Sequence, residues 1–138
     1  MNNEYSADKH DYFKYDLWLE IAENVKGIRK LTFIPMLTPK REPKAAYPLG
    51  KRRERLYRFL QSCLAPQRRS ITRLREFLSD EPFEYHPYRD EDDKGFQNGS
   101  WHAYFDAIPR AWLQDAVALI DPDTGLGSNE EKSDKHVN

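Results

Sequence analysis

The six residues from Ala116 to Asp121 constrain the fold more than any other segment of this chain. They read Ala-Val-Ala-Leu-Ile-Asp. A continuous apolar run that ends in an acid is typical of a strand in a parallel sheet covered on both faces. The run from Lys30 to Thr38 is also rich in β-branched and apolar residues and predicts a buried strand that Pro35 ends early or interrupts with a bulge. Residues 83–88 predict a short aromatic strand.

Helical patterns separate these predicted strands. From Asp11 to Val25 the apolar residues recur at helical spacing and predict one inward face, formed by Leu17, Trp18, Ile21, Ala22 and Val25. Asp8 or Asp11 can cap the start of this helix, and Gly27 can end it in the left-handed conformation. Further helices are predicted over residues 51–64, 70–78 and 101–108, and a helical turn after Pro109.

The order helix, strand, helix, helix, strand, helix, strand predicts an α/β fold. We expect a small three-layer Rossmann-like sandwich with a mainly parallel sheet. Three strands make this sheet thin, and they are fewer than a complete Rossmann fold contains. Residues 1–127 are interpreted as one domain, because 138 residues suit a single core. Residues 128–138 are polar and without periodicity, and we expect a disordered tail.

Two further features of the sequence bear on its compartment. The single cysteine, Cys63, excludes an internal disulfide and falls at an apolar helix position, where a buried thiol is expected. The N-terminus lacks the basic and apolar regions of a signal peptide, and no apolar run approaches the roughly 20 residues that cross a bilayer. We therefore expect a cytoplasmic protein that does not enter a membrane.

Charge is distributed very unevenly along the chain. Residues 26–75 hold 15 of the 22 basic side chains and two acids, a formal charge of +13, although the whole chain carries −1. The flanking parts are acidic. Such asymmetry indicates either a polyanionic partner or a chain that folds its basic part against its own acidic part, and the sequence leaves both open.

The basic residues themselves suggest a nucleic-acid interface. Arginines on two predicted helices can form a phosphate-binding face for DNA or RNA, because the guanidinium group binds phosphate in a bidentate manner. The alternative is a solvated surface, partly neutralised by the acidic loop at residues 90–93. The candidate nucleic-acid-binding residues are Lys51, Arg52, Arg53, Arg55, Arg58, Arg68, Arg69 and Arg73.

The end of the last predicted strand is the candidate catalytic site. Ligands of open α/β sheets lie beyond the carboxyl ends of the strands, and Asp121 and Asp123 stand there. These carboxylates could orient a base amine, accept a proton or bind a hard metal ion. The alternative is an ordinary turn, since Asp-Pro-Asp-Thr-Gly has favourable turn chemistry. The histidines and Cys63 share no metal-ligand spacing, and no metal site is predicted from them.

Three segments carry a resemblance to known proteins: Asp11 to Leu19, the strand Leu31 to Thr38, and Ala118 to Leu126 with its Asp-Pro-Asp-Thr-Gly sequence. Together they resemble segments of class I methyltransferase-related bacterial proteins. The resemblance implies S-adenosylmethionine at the end of the first strand and a target base amine held at Asp121 and Pro122. It also implies a glycine-rich turn after the first strand, whereas this chain has no glycine between that strand and Gly50.

Two functions are therefore open at this point. The first is a methyltransferase-related protein or fragment that acts on or binds nucleic acid, with Asp121 and Asp123 at the amine and the arginines on the phosphates. The alternative is a non-catalytic interaction protein that keeps the fold without the cofactor site. The sequence does not decide whether the chain is an enzyme, and it does not predict the oligomeric state.

Overall fold

The computed structural model describes residues 6–37, 52–91 and 101–122. Its helices and strands follow the predicted order, and 3-10 turns cover Pro66–Arg68, Ile71–Arg73 and Arg110–Trp112. The helices are α1 (Lys9–Asn24), α2 (Glu54–Ser62), α3 (Leu74–Leu78) and α4 (Trp101–Asp106); the strands are β1 (Lys30–Pro35), β2 (Glu84–Pro87) and β3 (Ala116–Asp121).

The three strands form one parallel sheet in the order β2-β1-β3. Lys30 of β1 pairs with Glu84 on one side and with Ala116 on the other. The central position suits β1, because its residues from Leu31 to Pro35 are all buried and its buried hydroxyl, on Thr32, donates to the Trp112 carbonyl instead of to water. The predicted α/β class and parallel sheet are confirmed.

Helices cover the sheet on two faces and create two cores. Helices α1, α2 and α3 pack on one face around Leu31 and Phe33. On the other face, Tyr104 and Ile108 pack against Ile34, as the helical spacing in this segment predicts. The two cores give the three-layer arrangement of a small Rossmann-like sandwich, with alternate residues of β1 serving opposite faces.

The predicted inward face of α1 is wrong in part. Trp18 and Ala22 are buried, but Leu17, Ile21 and Val25 are 47%, 40% and 50% exposed. The buried stripe instead contains the aromatic and small residues Tyr12, Tyr15, Trp18, Leu19 and Ala22. Rings reach further into the core than aliphatic side chains do, so the aromatic stripe determines how the helix docks.

The ends of α1 follow the predicted capping chemistry. The Asp8 side chain caps the helix by accepting the N–H groups of His10 and Asp11. Gly27 has a φ of +88°, the left-handed conformation expected of it, but the helix already ends at Asn24. Gly27 therefore turns the chain toward β1 instead of ending the helix.

The expectation that β3 is covered on both faces is also wrong. The strand lies at one edge of the sheet, and Ala118 and Ile120 are exposed on the face opposite α1. Val117 and Leu119 point to the covered face, where they pack against the larger core. The covering helix α4 packs over β1 and leaves the outer face of β3 open among the residues that the structure describes.

No helix within the described ranges is long and apolar enough to cross a membrane. The proposed tail at 128–138 lies outside the described residues.

Candidate functional site

Asp121 ends β3 at the carboxyl edge of the sheet, where the sequence predicts it. Its side chain is buried beneath α1 instead of facing an open cleft, and only 3% of the residue is exposed. Lys14 of α1 donates a hydrogen bond from Nζ to Asp121 Oδ1 at 2.8 Å. The carboxylate that the resemblance assigns to a base amine is therefore bound to an amine of the chain itself.

Asp11 completes a group that we call the carboxylate–lysine cluster, made of Asp11, Lys14 and Asp121. Lys14 Nζ lies 3.3 Å from Asp11 Oδ1, and the Ala7 N–H donates to Asp11 Oδ2 at 2.7 Å. Burial raises the pKa of Asp11 to about 6, against the opposing effect of Lys14. Burial alone would lower the pKa of Lys14, but the two carboxylates raise it.

The cluster joins a helix to a strand that lie 107 residues apart in sequence. The i, i+3 spacing of Asp11 and Lys14 is the one sequence signal for the contact between these two residues. Nothing in the sequence pairs Lys14 with Asp121, and sequence reasoning missed that contact. Chemically, an ammonium between two carboxylates fixes α1 over β3 and offsets the negative charge of one of them.

The end of β1 is filled by the chain's own side chains. Pro35, Met36 and Leu37 are all buried. The Tyr104 hydroxyl donates to the Pro35 carbonyl at 2.6 Å, and the Met36 N–H donates to the Asp121 carbonyl at 3.1 Å. A cofactor at this edge needs backbone that it can approach closely, as glycine would allow. The residues seen here do not fit S-adenosylmethionine, because side chains and hydrogen bonds already occupy that approach.

Asp123, the second candidate catalytic residue, lies outside the described residues. Among the ranges that the structure does describe, no group of three or more His, Cys, Asp or Glu side chains is placed to hold a metal ion.

The first basic residues of the candidate nucleic-acid interface are paired with α1. Arg52 binds Asp16 at 3.0 Å and Glu20 at 2.8 Å, and Arg53 binds Glu23 at 2.9 Å. Burial alone would raise the pKa of Asp16, but hydrogen bonds from the two arginines lower it. These contacts hold the start of α2 against α1, and they pair two of the predicted phosphate-binding arginines with acidic side chains of α1.

The arginines further along the chain are also engaged. Arg55 contacts Asp80 and Glu81 and lies 4.3 Å from the centre of the Phe77 ring. Arg73 binds Glu76 at 2.8 Å. Arg75, which lies in the same basic block, binds the buried Asp90 at 2.7 Å. Asp90 and Glu91 of the acidic loop thus neutralise Arg75, which agrees with one of the two sequence interpretations.

The remaining basic residues of the candidate interface differ in exposure. Arg58 and Arg68 are exposed, and Arg58 binds Glu54 of its own helix at 2.6 Å. Arg69 is half-buried, and Lys51 lies outside the described residues. Five of the candidate arginines are therefore paired with carboxylates of the chain itself, although some of them are exposed: Arg52, Arg53, Arg55, Arg58 and Arg73.

Cys63 occupies the buried position expected of it. Only 3% of the residue is exposed, and burial raises the pKa of its thiol, against the opposing charge of Arg73. A buried thiol of raised pKa is chemically unreactive at neutral pH.

A groove beside β2 was missed by sequence reasoning. It has a volume of about 470 Å³ and lies between α3 and the 3-10 turn at Arg110–Trp112. Aromatic side chains line much of it, namely Phe83, Tyr85 and Trp112, and Trp112 also stacks on His86 at 4.9 Å. Trp112 is far in sequence from Phe83 and Tyr85, so only the fold brings it beside them.

Comparison with known proteins adds no relative. No protein-family model, no curated protein and no solved structure matches this chain. The geometry of the chain itself must therefore support any functional assignment.

Proposed function

We propose that this chain is a non-catalytic interaction protein that keeps a small Rossmann-like fold. One observation carries the proposal: Asp121, at the edge where α/β proteins bind their ligands, is buried and bound to Lys14 at 2.8 Å. A base amine could reach this carboxylate only by displacing an ammonium group that two carboxylates hold. That exchange would cost the free energy of a buried ion pair.

The end of β1 supports the same proposal. Met36 and Leu37 take the place of a glycine turn, and both are buried. The methyltransferase-related function requires a cofactor to approach this backbone, which the Tyr104 hydroxyl already contacts at Pro35. We also assign the protein to a reducing cytoplasm, in keeping with its one buried thiol.

Thermal unfolding in the presence of increasing S-adenosylmethionine tests the proposal. We expect no saturable rise in melting temperature for the wild-type chain or for Asp121→Asn. Asp115→Asn is the matched control, because Asp115 is an exposed carboxylate just before the same strand. A saturable rise in wild type and Asp115→Asn that Asp121→Asn abolishes would overturn the proposal, since ligand binding to the folded state must raise its stability.

Nucleic-acid binding through the basic helices is the second candidate, and the exposure of Arg58 and Arg68 favours it. Fluorescence anisotropy with duplex DNA at two salt concentrations measures it, because phosphate contacts make affinity fall steeply with salt. If the chain is the interaction protein proposed above, we expect only weak binding to DNA, and the double substitution Arg58→Glu and Arg68→Glu should leave that binding unchanged. A loss of about tenfold or more, together with a smaller salt dependence, would favour the nucleic-acid function instead.

A further inference from the structure

The three residues that precede α1 lie against the larger core. Ser6 and Ala7 are only 4% and 3% exposed, although a segment outside helices and strands normally lies at the surface. Ala7 belongs to the same core cluster as Tyr15 and Leu60. We call residues 6–8 the N-terminal strap, because they cover this part of the core and belong to neither a helix nor a strand.

The N-terminal strap contains a strained residue. Ala7 has a φ of +70°, in the left-handed region that residues with a β-carbon rarely adopt. Its N–H donates to Asp11 Oδ2 at 2.7 Å, and a hydrogen bond to a carboxylate is strong enough to offset such strain. Asp8 is fixed separately, since its side chain caps α1. The contact with Asp11 therefore helps to hold the strained end of the strap in place.

The Asp11 carboxyl that receives this bond lies in a poor site for a charge. It is almost completely buried, and burial raises its pKa to about 6. Lys14 is the one positive group among the titratable groups around it, which are Asp8, Lys14, Tyr15 and Asp121. Lys14 and the bond from Ala7 oppose the effect of burial, but burial is the largest of these influences.

We propose that the N-terminal strap is a pH-sensitive latch, which is tight while Asp11 holds its proton and loosens as that carboxyl ionises. When the strap lifts, water reaches Asp11, and the carboxyl binds its proton less tightly than in the closed state. The state that binds the proton more tightly is favoured at low pH, so the closed strap is progressively disfavoured as the pH rises through about 6. The latch goes beyond the proposed interaction function and does not depend on it.

Opening of the strap gives solvent access to Cys63. Ser6, Ala7 and Cys63 line one cavity of about 10 Å³, which is roughly the space that a single water molecule needs. Removal of Ser6 and Ala7 from its wall opens this cavity to reagents. Cys63, which is otherwise buried, therefore serves as a native reporter of the latch.

Reaction of Cys63 with 4,4′-dithiodipyridine measures how often the strap opens, because a buried thiol reacts only in open molecules. Asp11→Asn is the matched control, since asparagine keeps an oxygen that accepts the Ala7 N–H and carries no charge at any pH. Dividing the wild-type rate by the Asp11→Asn rate cancels the ionisation of the thiol itself. It also cancels the charge of His10, which lies 3.2 Å from Asp8 in both chains.

We expect this ratio of rates to rise with pH. Because the pKa of Asp11 is raised from 3.8 to about 6, the rise from about pH 4 to about pH 7 should be at least about fivefold and no more than about 100-fold. A rise of less than about fivefold, or a fall, would overturn the latch.

A thiol placed in the strap separates local opening from unfolding of the whole chain. Ala7→Cys is compared with Ala22→Cys, each combined with Cys63→Ala, because Ala22 is equally buried but lies near the other end of α1. At about pH 7 we expect the thiol at position 7 to react at least about tenfold faster than the thiol at position 22. A smaller difference would mean that the strap is exposed only when the whole chain unfolds, and it would contradict the latch.

Discussion

Replacement of Lys14 by methionine removes the cation from the carboxylate–lysine cluster while keeping an unbranched side chain of similar length. The side chains of Asp11 and Asp121 are only 5% and 4% exposed, so they would face one another as buried like charges. Removal of one partner of a buried ion pair costs roughly 3–5 kcal/mol. Because Lys14 is one-third exposed and Asp11 takes up a proton readily, we expect about 3 kcal/mol at neutral pH.

The same geometry predicts how this loss depends on pH. Without the ammonium, the pKa of Asp11 rises further above its value in the unfolded chain. The folded variant then binds a proton more tightly than the unfolded chain does, so its stability increases as the pH falls. We expect the loss caused by Lys14→Met to be clearly smaller at about pH 5 than at about pH 8.

Urea denaturation at both pH values measures these losses. Lys9→Met is the matched control, because Lys9 is an exposed residue of the same helix, and it should change the free energy of unfolding by less than about 0.5 kcal/mol. Adding Asp121→Asn to Lys14→Met should recover part of the loss. The reasoning is refuted if Lys14→Met costs no more than Lys9→Met, or costs the same at both pH values.

Two further substitutions test neighbouring contacts. The pKa of Asp11 is raised to about 6, so we expect wild-type stability to fall from about pH 4 to about pH 6 as this carboxyl loses its proton, and Asp11→Asn should abolish that fall. Denaturation curves across this interval measure the pH dependence of stability. An unchanged slope in Asp11→Asn would contradict the prediction. Arg53→Ala should cost about 1–2 kcal/mol through its contacts with α1, whereas Arg58→Ala should cost less than about 0.5 kcal/mol. Thermal unfolding compares this pair, and equal losses would mean that Arg53 does not hold α2 in place.

Local patterns were enough to predict the order of helices and strands. The apolar runs Lys30–Pro35 and Ala116–Asp121 form strands because strand formation follows from β-branched and apolar residues in short, uninterrupted segments. Asp8 caps α1 because a carboxylate before a helix accepts free N–H groups wherever the helix packs. These features depend on neighbours in the sequence, which the sequence displays directly.

The docking of α1 shows where local patterns fail. Two apolar stripes that share Trp18 and Ala22 lie on this helix, and periodicity alone favoured the one that adds Leu17 and Ile21. The sheet instead receives the stripe with Tyr15 and Trp18, whose rings pack against Phe33 at 6.1 and 6.0 Å. The choice depends on the shape of a surface built from distant strands, which no segment of α1 encodes.

By itself, the amino-acid sequence determined the α/β class, the parallel strands, the buried thiol and the uneven charge. Only the tertiary structure decided how that charge is used, because an arginine can be assigned to a phosphate or to a carboxylate only when its neighbours in space are known. The tertiary structure pairs Arg53 with Glu23 and Arg75 with Asp90, and it buries Asp121 against Lys14. Coulombic energy depends on distance between atoms, and folding sets those distances across gaps in sequence as long as 107 residues.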